Sequence, residues 1–337
     1  MKKLLSGFIF LILAATGLFF ALISRSDKPG STRTAVPRIY EGLSATPACT
    51  LHTAGGIHVL AAYDGKVYHL DQKAGVLHRT DMPSGRTDTA CIPGKYFAEI
   101  PASLQVDSTG IYVYPANQQK IYIFPHNGGA PDSVSARSLN YSRGARLPDG
   151  SYYIHRYDAS SKKSSLRQVD YQHTGADTKL LYEFPHTDDG GLASDGQLIL
   201  AAGEWPVIYL QNHNADVVVC GQDGGYQIFQ TIDRTPAENS VVKAPDGSWS
   251  ISSKMLFVNM DAASDGKFLY VLSRAVSHHQ PTTAPEVDLY RLPGGEYAGS
   301  FRLPAMEKSG VRHIAVGDGL LYASYQHHIV AYQLQFP

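Results

Sequence analysis

Cysteine, tryptophan and methionine are all scarce in this sequence, with three, two and five copies among 337 residues. Three cysteines, Cys49, Cys91 and Cys220, are too few and too scattered for a disulfide framework or a cysteine-rich metal centre, which leaves room for one bridge. Cys220 closes the apolar run Val217-Val218-Val219 and is expected to be a buried small hydrophobe. Cys49 and Cys91 lie in less regular segments and are the pair that an oxidising compartment would allow to join. Net charge is equally scarce: a formal charge of -1 and a pI near 6.9 remove any general electrostatic reason to expect nucleic acid or an acidic partner. Chemical motifs are missing as well. There is no nucleophile elbow, no phosphate-binding glycine loop and no His-Glu-x-x-His. His278-His279 and His327-His328 are adjacent pairs, and neighbours on an extended strand point to opposite faces, so neither dipeptide alone makes a metal site. The stretch from Asp261 to Gly266 lacks the ligand spacing of a calcium loop and reads as a turn.

What is present points to an all-β chain. Hydrophobic residues make up 43% of the sequence, and 21 tyrosines recur in short runs beside Val, Ile and Leu, the company that strands keep. At the N-terminus, Lys2 and Lys3 precede an uncharged stretch that begins at Leu4 and ends at Ile23, long enough to cross the roughly 30 Å hydrocarbon core as a helix. Polar and helix-breaking residues follow, and no small-x-small site ends the run cleanly. An uncleaved membrane anchor over residues 1–23 is therefore expected, with a cleaved signal peptide as the rival reading. The positive-inside tendency of Lys2 and Lys3 places the body in the periplasm or outside the cell. Residues 24–36, rich in Ser, Thr and Pro, read as a linker.

The remaining chain, residues 37–337, repeats itself at a period of about 40–50 residues, the range of propeller blades. A glycine-led strand recurs after Gly56, Gly110, Gly150, Gly196, Gly266 and Gly319, and four of these glycines follow an Asp, a hairpin signal because both residues tolerate positive φ. A second short strand of the same character follows each copy, and a third strand closes most units. With the segment before each glycine taken as the innermost strand, each unit has four antiparallel strands, and about six such units make a β-propeller. Two stacked sandwich domains are the competing architecture. The last unit lacks an outer strand at Pro337, and the extended residues 37–43 are expected to supply it and close the ring.

This recurrence resembles the six-bladed TolB-like and NHL-type propellers, and most of all divergent Bacteroidetes-type members. The resemblance rests on blade periodicity and so implies a fold, because propellers of this type include binding modules, sugar lactonases and lyases. In such a ring, the long connections near residues 84–100, 158–164, 233–257 and 274–286 fall on the face opposite the tight turns. From that face and the inner-strand starts, Arg143, Asp188, Asp189, Glu204, Trp205, Asn259, Arg312 and His313 are the candidate binding residues. Two functions remain open. The first is a non-catalytic module, without cofactor, for a protein, peptide or glycan. The second is a metal-dependent, lactonase-like hydrolase or lyase. There, Asp189, Asn259 and Glu204 would hold calcium or another divalent ion in the central channel and His313 would act as base. A redox-linked propeller partnered with a membrane protein is a third reading, argued from location alone.

Overall fold

A computed structural model describes residues 37–336, apart from 72–74, 92–100, 116–118, 137–140, 172–177, 186–188, 202–206, 235–240, 252–255, 278–285 and 307–308. The N-terminal apolar run and its linker lie outside the described residues. Among the described residues, no helix is long and apolar enough to cross a membrane.

The described residues form six four-stranded antiparallel sheets and one two-stranded hairpin. β1 (Ser44–His52) comes first in the chain but belongs to the last sheet. Blade 1 is β2 (Ile57–Tyr63), β3 (Lys66–Asp71), β4 (Val76–Asp81) and β5 (Arg86–Cys91). Blade 2 is β6 (Pro101–Asp107), β7 (Gly110–Pro115), β8 (Lys120–Phe124) and β9 (Asp132–Ser135). β10 (Arg143–Arg146), β11 (Tyr152–Asp158), β12 (Lys163–Val169) and β13 (Thr178–Glu183) make blade 3. Blade 4 holds β14 (Gly196–Leu200), β15 (Val207–Gln211), β16 (Asp216–Cys220) and β17 (Tyr226–Gln230). The link after it carries the small hairpin of β18 (Val241–Lys243) and β19 (Trp249–Ile251). Blade 5 is β20 (Leu256–Ser264), β21 (Phe268–Ser277), β22 (Glu286–Arg291) and β23 (Glu296–Arg302). In blade 6, β24 (His313–Gly317), β25 (Leu320–Ser324) and β26 (His328–Gln335) are completed by β1, with Ser44 opposite Gln335 and His52 opposite His328.

This is a six-bladed β-propeller, and its core explains the sequence pattern. A blade inside the ring is buried on both faces, so its middle strands read as continuous apolar runs. Successive side chains then go to opposite neighbours. On β15, Val207 and Tyr209 pack toward blade 3 while Ile208 and Leu210 pack toward blade 5. The buried residues accordingly separate into six clusters, one for each blade-to-blade interface. Each fully buried Val, Leu or Ile contributes roughly 1.5–3 kcal/mol of transfer free energy. The tyrosine excess has its place here: Tyr68, Tyr112, Tyr152, Tyr209, Tyr270 and Tyr322 put at least one buried phenol on the second strand of every blade. Burial would strand a hydroxyl without a partner. Tyr209 therefore donates to the Ser194 carbonyl at 2.6 Å, and Tyr270 donates to Asp265 at 2.9 Å.

Three expectations are corrected. N-terminal closure occurs, but through Ser44–His52 and not through residues 37–43. Gly42, at a φ of 76°, redirects the chain before the ladder starts. Residues 37–43 instead lie against blade 5, where the Ser300 amide donates to the Ile39 carbonyl at 2.7 Å. Arg38 grips Asp288 there through Nε–Oδ1 at 2.8 Å and Nη2–Oδ2 at 3.0 Å, and reaches Glu286 at 3.0 Å. The Asp288 side chain is 1% exposed, so this guanidinium is what makes its burial tolerable. Second, the strands after Gly56 and Gly196 are innermost strands, not second strands. Third, Cys49 and Cys91 are not joined, and all three cysteines are free. Cys91 is packed between blades 1 and 2, whereas Cys49 faces the seam between blades 6 and 1, where its thiol donates to the Met82 carbonyl at 3.0 Å. Blade 1 stands between them. Burial pushes the Cys91 and Cys220 thiols up to about 12.

Candidate binding site in the central channel

Antiparallel blades alternate direction, so the first-to-second and third-to-fourth turns share a lower face, and the second-to-third turns and interblade links share an upper face. The innermost strands have one edge paired within their blade and one edge facing the channel, where backbone groups need other partners. Side chains supply them from blade to blade. Gln105 of β6 donates to the Arg146 carbonyl of β10 at 2.9 Å and accepts from its amide at 2.8 Å. Arg143 of β10 donates through Nε to the Gly196 carbonyl of β14 at 2.8 Å. Gln197 of β14 donates to the Met260 carbonyl of β20 at 2.8 Å. Asp261 of β20 accepts from the Ile314 amide of β24 at 2.7 Å.

Near the upper face these strands enclose a cavity of about 470 Å³, lined from all six blades. Its wall carries His58, Ser103, Arg143, Gln197, Asn212, Asp261 and His313 among shorter apolar residues. The charges are already matched. Arg143 Nη2 lies 3.2 Å from Asp195, and Asn212 donates weakly to the same carboxylate at 3.4 Å. On the far wall, His313 Nδ1 is 3.5 Å from Asp261 Oδ2, and the His58 and His313 rings meet edge to face at 6.3 Å. A pocket of this size, with planar amide, imidazole and guanidinium groups converging on it, suits a small polar ligand or the tip of a larger one.

Of the residues nominated from sequence, Arg143 and His313 line this cavity together. Arg312 is exposed beside it without lining it. Asp189 is fully buried in the link to blade 4, where its two carboxylate oxygens accept from the Gly191 and Ala193 amides at 2.9 and 2.7 Å. Asn259 is buried and ties blade 5 to blade 4, donating to the Gln211 and Asn214 carbonyls at 2.7 and 2.9 Å. Asp188, Glu204 and Trp205 lie outside the described residues. The donor set named for a channel ion is thus not gathered among the described residues: Asp189 is turned to backbone amides of its own link and Asn259 to backbone carbonyls of blade 4, and of the named donors only His313 lines the cavity. His58, Asp195, Gln197 and Asp261 were missed. For His58, Asp195 and Gln197 the signal is their place at or just before the start of an innermost strand, hidden because the glycine pattern puts β2 and β14 second in their blades, whereas Asp261 sits in the middle of β20 and carries no such signal.

No family model matches the chain, and no curated protein matches it. Solved structures do. A gluconolactonase from Xanthomonas campestris is similar at 10% identity and a TM-score of 0.53, covering 90% of this chain and 96% of that one. A protein of unknown function from Bacteroides thetaiotaomicron reaches a TM-score of 0.53 at 11% identity, covering 87% and 72%. A chain from a nidogen–laminin complex reaches 0.50 at 13% identity, covering 77% and 84%. At such identities the likeness is one of fold.

Proposed function

We propose that this chain is a membrane-tethered, extracytoplasmic propeller, a divergent relative of the TolB-like and NHL-type rings, that binds a protein, peptide or glycan at the upper mouth of its channel without transforming it. The tether and location rest on the apolar run after Lys3. One observation carries the binding role. The polar groups around the cavity are committed to one another or to strand edges, as Arg143 is to Gly196 and Asp195, and Asp261 is to Ile314. Such a wall is rigid and rich in hydrogen-bonding groups, which is what recognition of hydroxyls and amides requires. The propeller in the nidogen–laminin complex is a precedent for a protein partner.

A second reading is favoured by a specific feature, the imidazole of His313 beside the carboxylate of Asp261, an arrangement that orients a base. The gluconolactonase of similar fold gives that reading a substrate class, a sugar lactone. The two are separated by one pair of measurements on the full chain. Binding to peptide and glycan arrays is expected, and His58→Ala should weaken it at least tenfold. Lactone hydrolysis that disappears in His313→Ala, with no array ligand retained, would replace binding by catalysis.

A further inference from the structure

Where blade 6 meets blade 1, away from the channel, the upper face holds a second pocket of about 210 Å³. The end of β1 and the link after it form one wall, and His69, Asp71, His78 and Thr87 of blade 1 form the other. Residues 69 and 78 are directly opposite in the register of β3 and β4, so their side chains leave the sheet on the same face as close cross-strand neighbours. Their ring centroids are 5.2 Å apart with a 30° tilt. Two imidazoles bound to one tetrahedral ion at about 2.0–2.1 Å have centroids about 5 Å apart, so the pair already stands at the spacing of a chelate. His69 is 4% exposed, and its Nδ1 has no hydrogen-bond partner. A buried imidazole nitrogen without a partner calls for a ligand or an ion.

We propose that His69 and His78 form a two-imidazole clamp for a divalent transition-metal ion at the seam between blades 6 and 1. Imidazole donors select Zn²⁺, Cu²⁺ or Ni²⁺ over Ca²⁺ and Mg²⁺, which want oxygen. The neutral imidazole is the form that ligates, and it is available to both rings near pH 7. His52 and Asp71 line the same pocket. The link is pressed so closely over the Asp71 carboxylate that a Cβ at Gly55 would come within 2.3 Å of it. Among the described residues no three His, Cys, Asp or Glu side chains are grouped to hold an ion by themselves. The remaining coordination positions therefore belong to water or to a ligand that the ion brings.

The test uses the full chain, stripped of metal by EDTA and dialysed, then titrated with Cu²⁺ and Zn²⁺ by calorimetry. One ion per chain is expected, with nitrogen hyperfine structure from two imidazoles in the Cu²⁺ spectrum. His78→Gln, at a half-buried site, should weaken binding at least tenfold, whereas His327→Gln, at an exposed site, should not. Zn²⁺ should also protect His78 of the unaltered chain from diethylpyrocarbonate, read by mass spectrometry, a result independent of any variant. Failure to bind one ion, binding that is indifferent to His78→Gln, or absence of that protection would overturn the proposal.

Discussion

Two buried histidines show how single residues tie stability to pH. His155 of β11 is 2% exposed, stacks on Tyr209 at 4.8 Å and pairs through Nδ1 with the Ser142 hydroxyl at 2.6 Å. Burial, with the nearby positive charge of Arg143, pushes it down to about 3, and His69 is held at about 4. Both are neutral in the folded ring, while the unfolded chain protonates them below about 6.5. The unfolded state then binds more protons, so stability is present in full above that pH and is lost as pH falls toward the folded values. Between pH 6.5 and 5, each should remove roughly 1–2 kcal/mol of unfolding free energy. Urea unfolding across that range should show the decline, and a flat profile would mean that these rings are hydrated.

At the scale of elements, a glycine that starts a strand and a glycine that makes a turn are easily confused. Gly150, Gly266 and Gly319 have φ values of 90°, 86° and 76° and do turn hairpins. Gly196 does not. A Cβ there would come within 2.3 Å of the Leu210 carbonyl, so the residue is small because β15 passes close by. Gly196→Ala should therefore destabilise by about 1–3 kcal/mol through forced overlap, measurable in denaturant, whereas half-buried Gly65 has open space for a Cβ and is constrained by its φ of 68°. The same distinction limits what was legible from the chain. Blade number, strand order and an N-terminal closing strand could be read because hydrophobic runs and Asp-Gly turns recur. The phase of blades 1 and 4 could not, because Asp195-Gly196 looks like a turn when its role is set by packing against another strand. The β18–β19 hairpin was legible in principle: Ala244-Pro245-Asp246-Gly247-Ser248 repeats the hydrogen bonding of Leu147-Pro148-Asp149-Gly150-Ser151, amide to carbonyl at 2.8 Å in both. His69 and His78 are nine residues apart, and only the register of the β3–β4 turn puts them face to face.

For the whole molecule, six similar interfaces close into a ring only if blade 6 is complete. Its fourth strand, β1, also brings Leu51 and Cys49 to the seam with blade 1. Removing residues 1–36 should leave the melting temperature of the ring unchanged. Removing residues 1–52 should lower it by roughly 10 °C or more, because an edge of β26 is exposed and both the seam and the Arg38–Asp288 pair are lost. Equal melting of the two truncations would show that closure contributes little.

The β1–β26 ladder also fixes a timetable. Among the described strands the one that completes the ring leaves the ribosome first, and its partner follows only after the intervening five blades have been made. At about 5–20 residues per second, β1 waits roughly 15–60 s with an unsatisfied edge. During that wait the nascent chain presents a strand with unpaired edges, the kind of exposure that favours pairing with another chain.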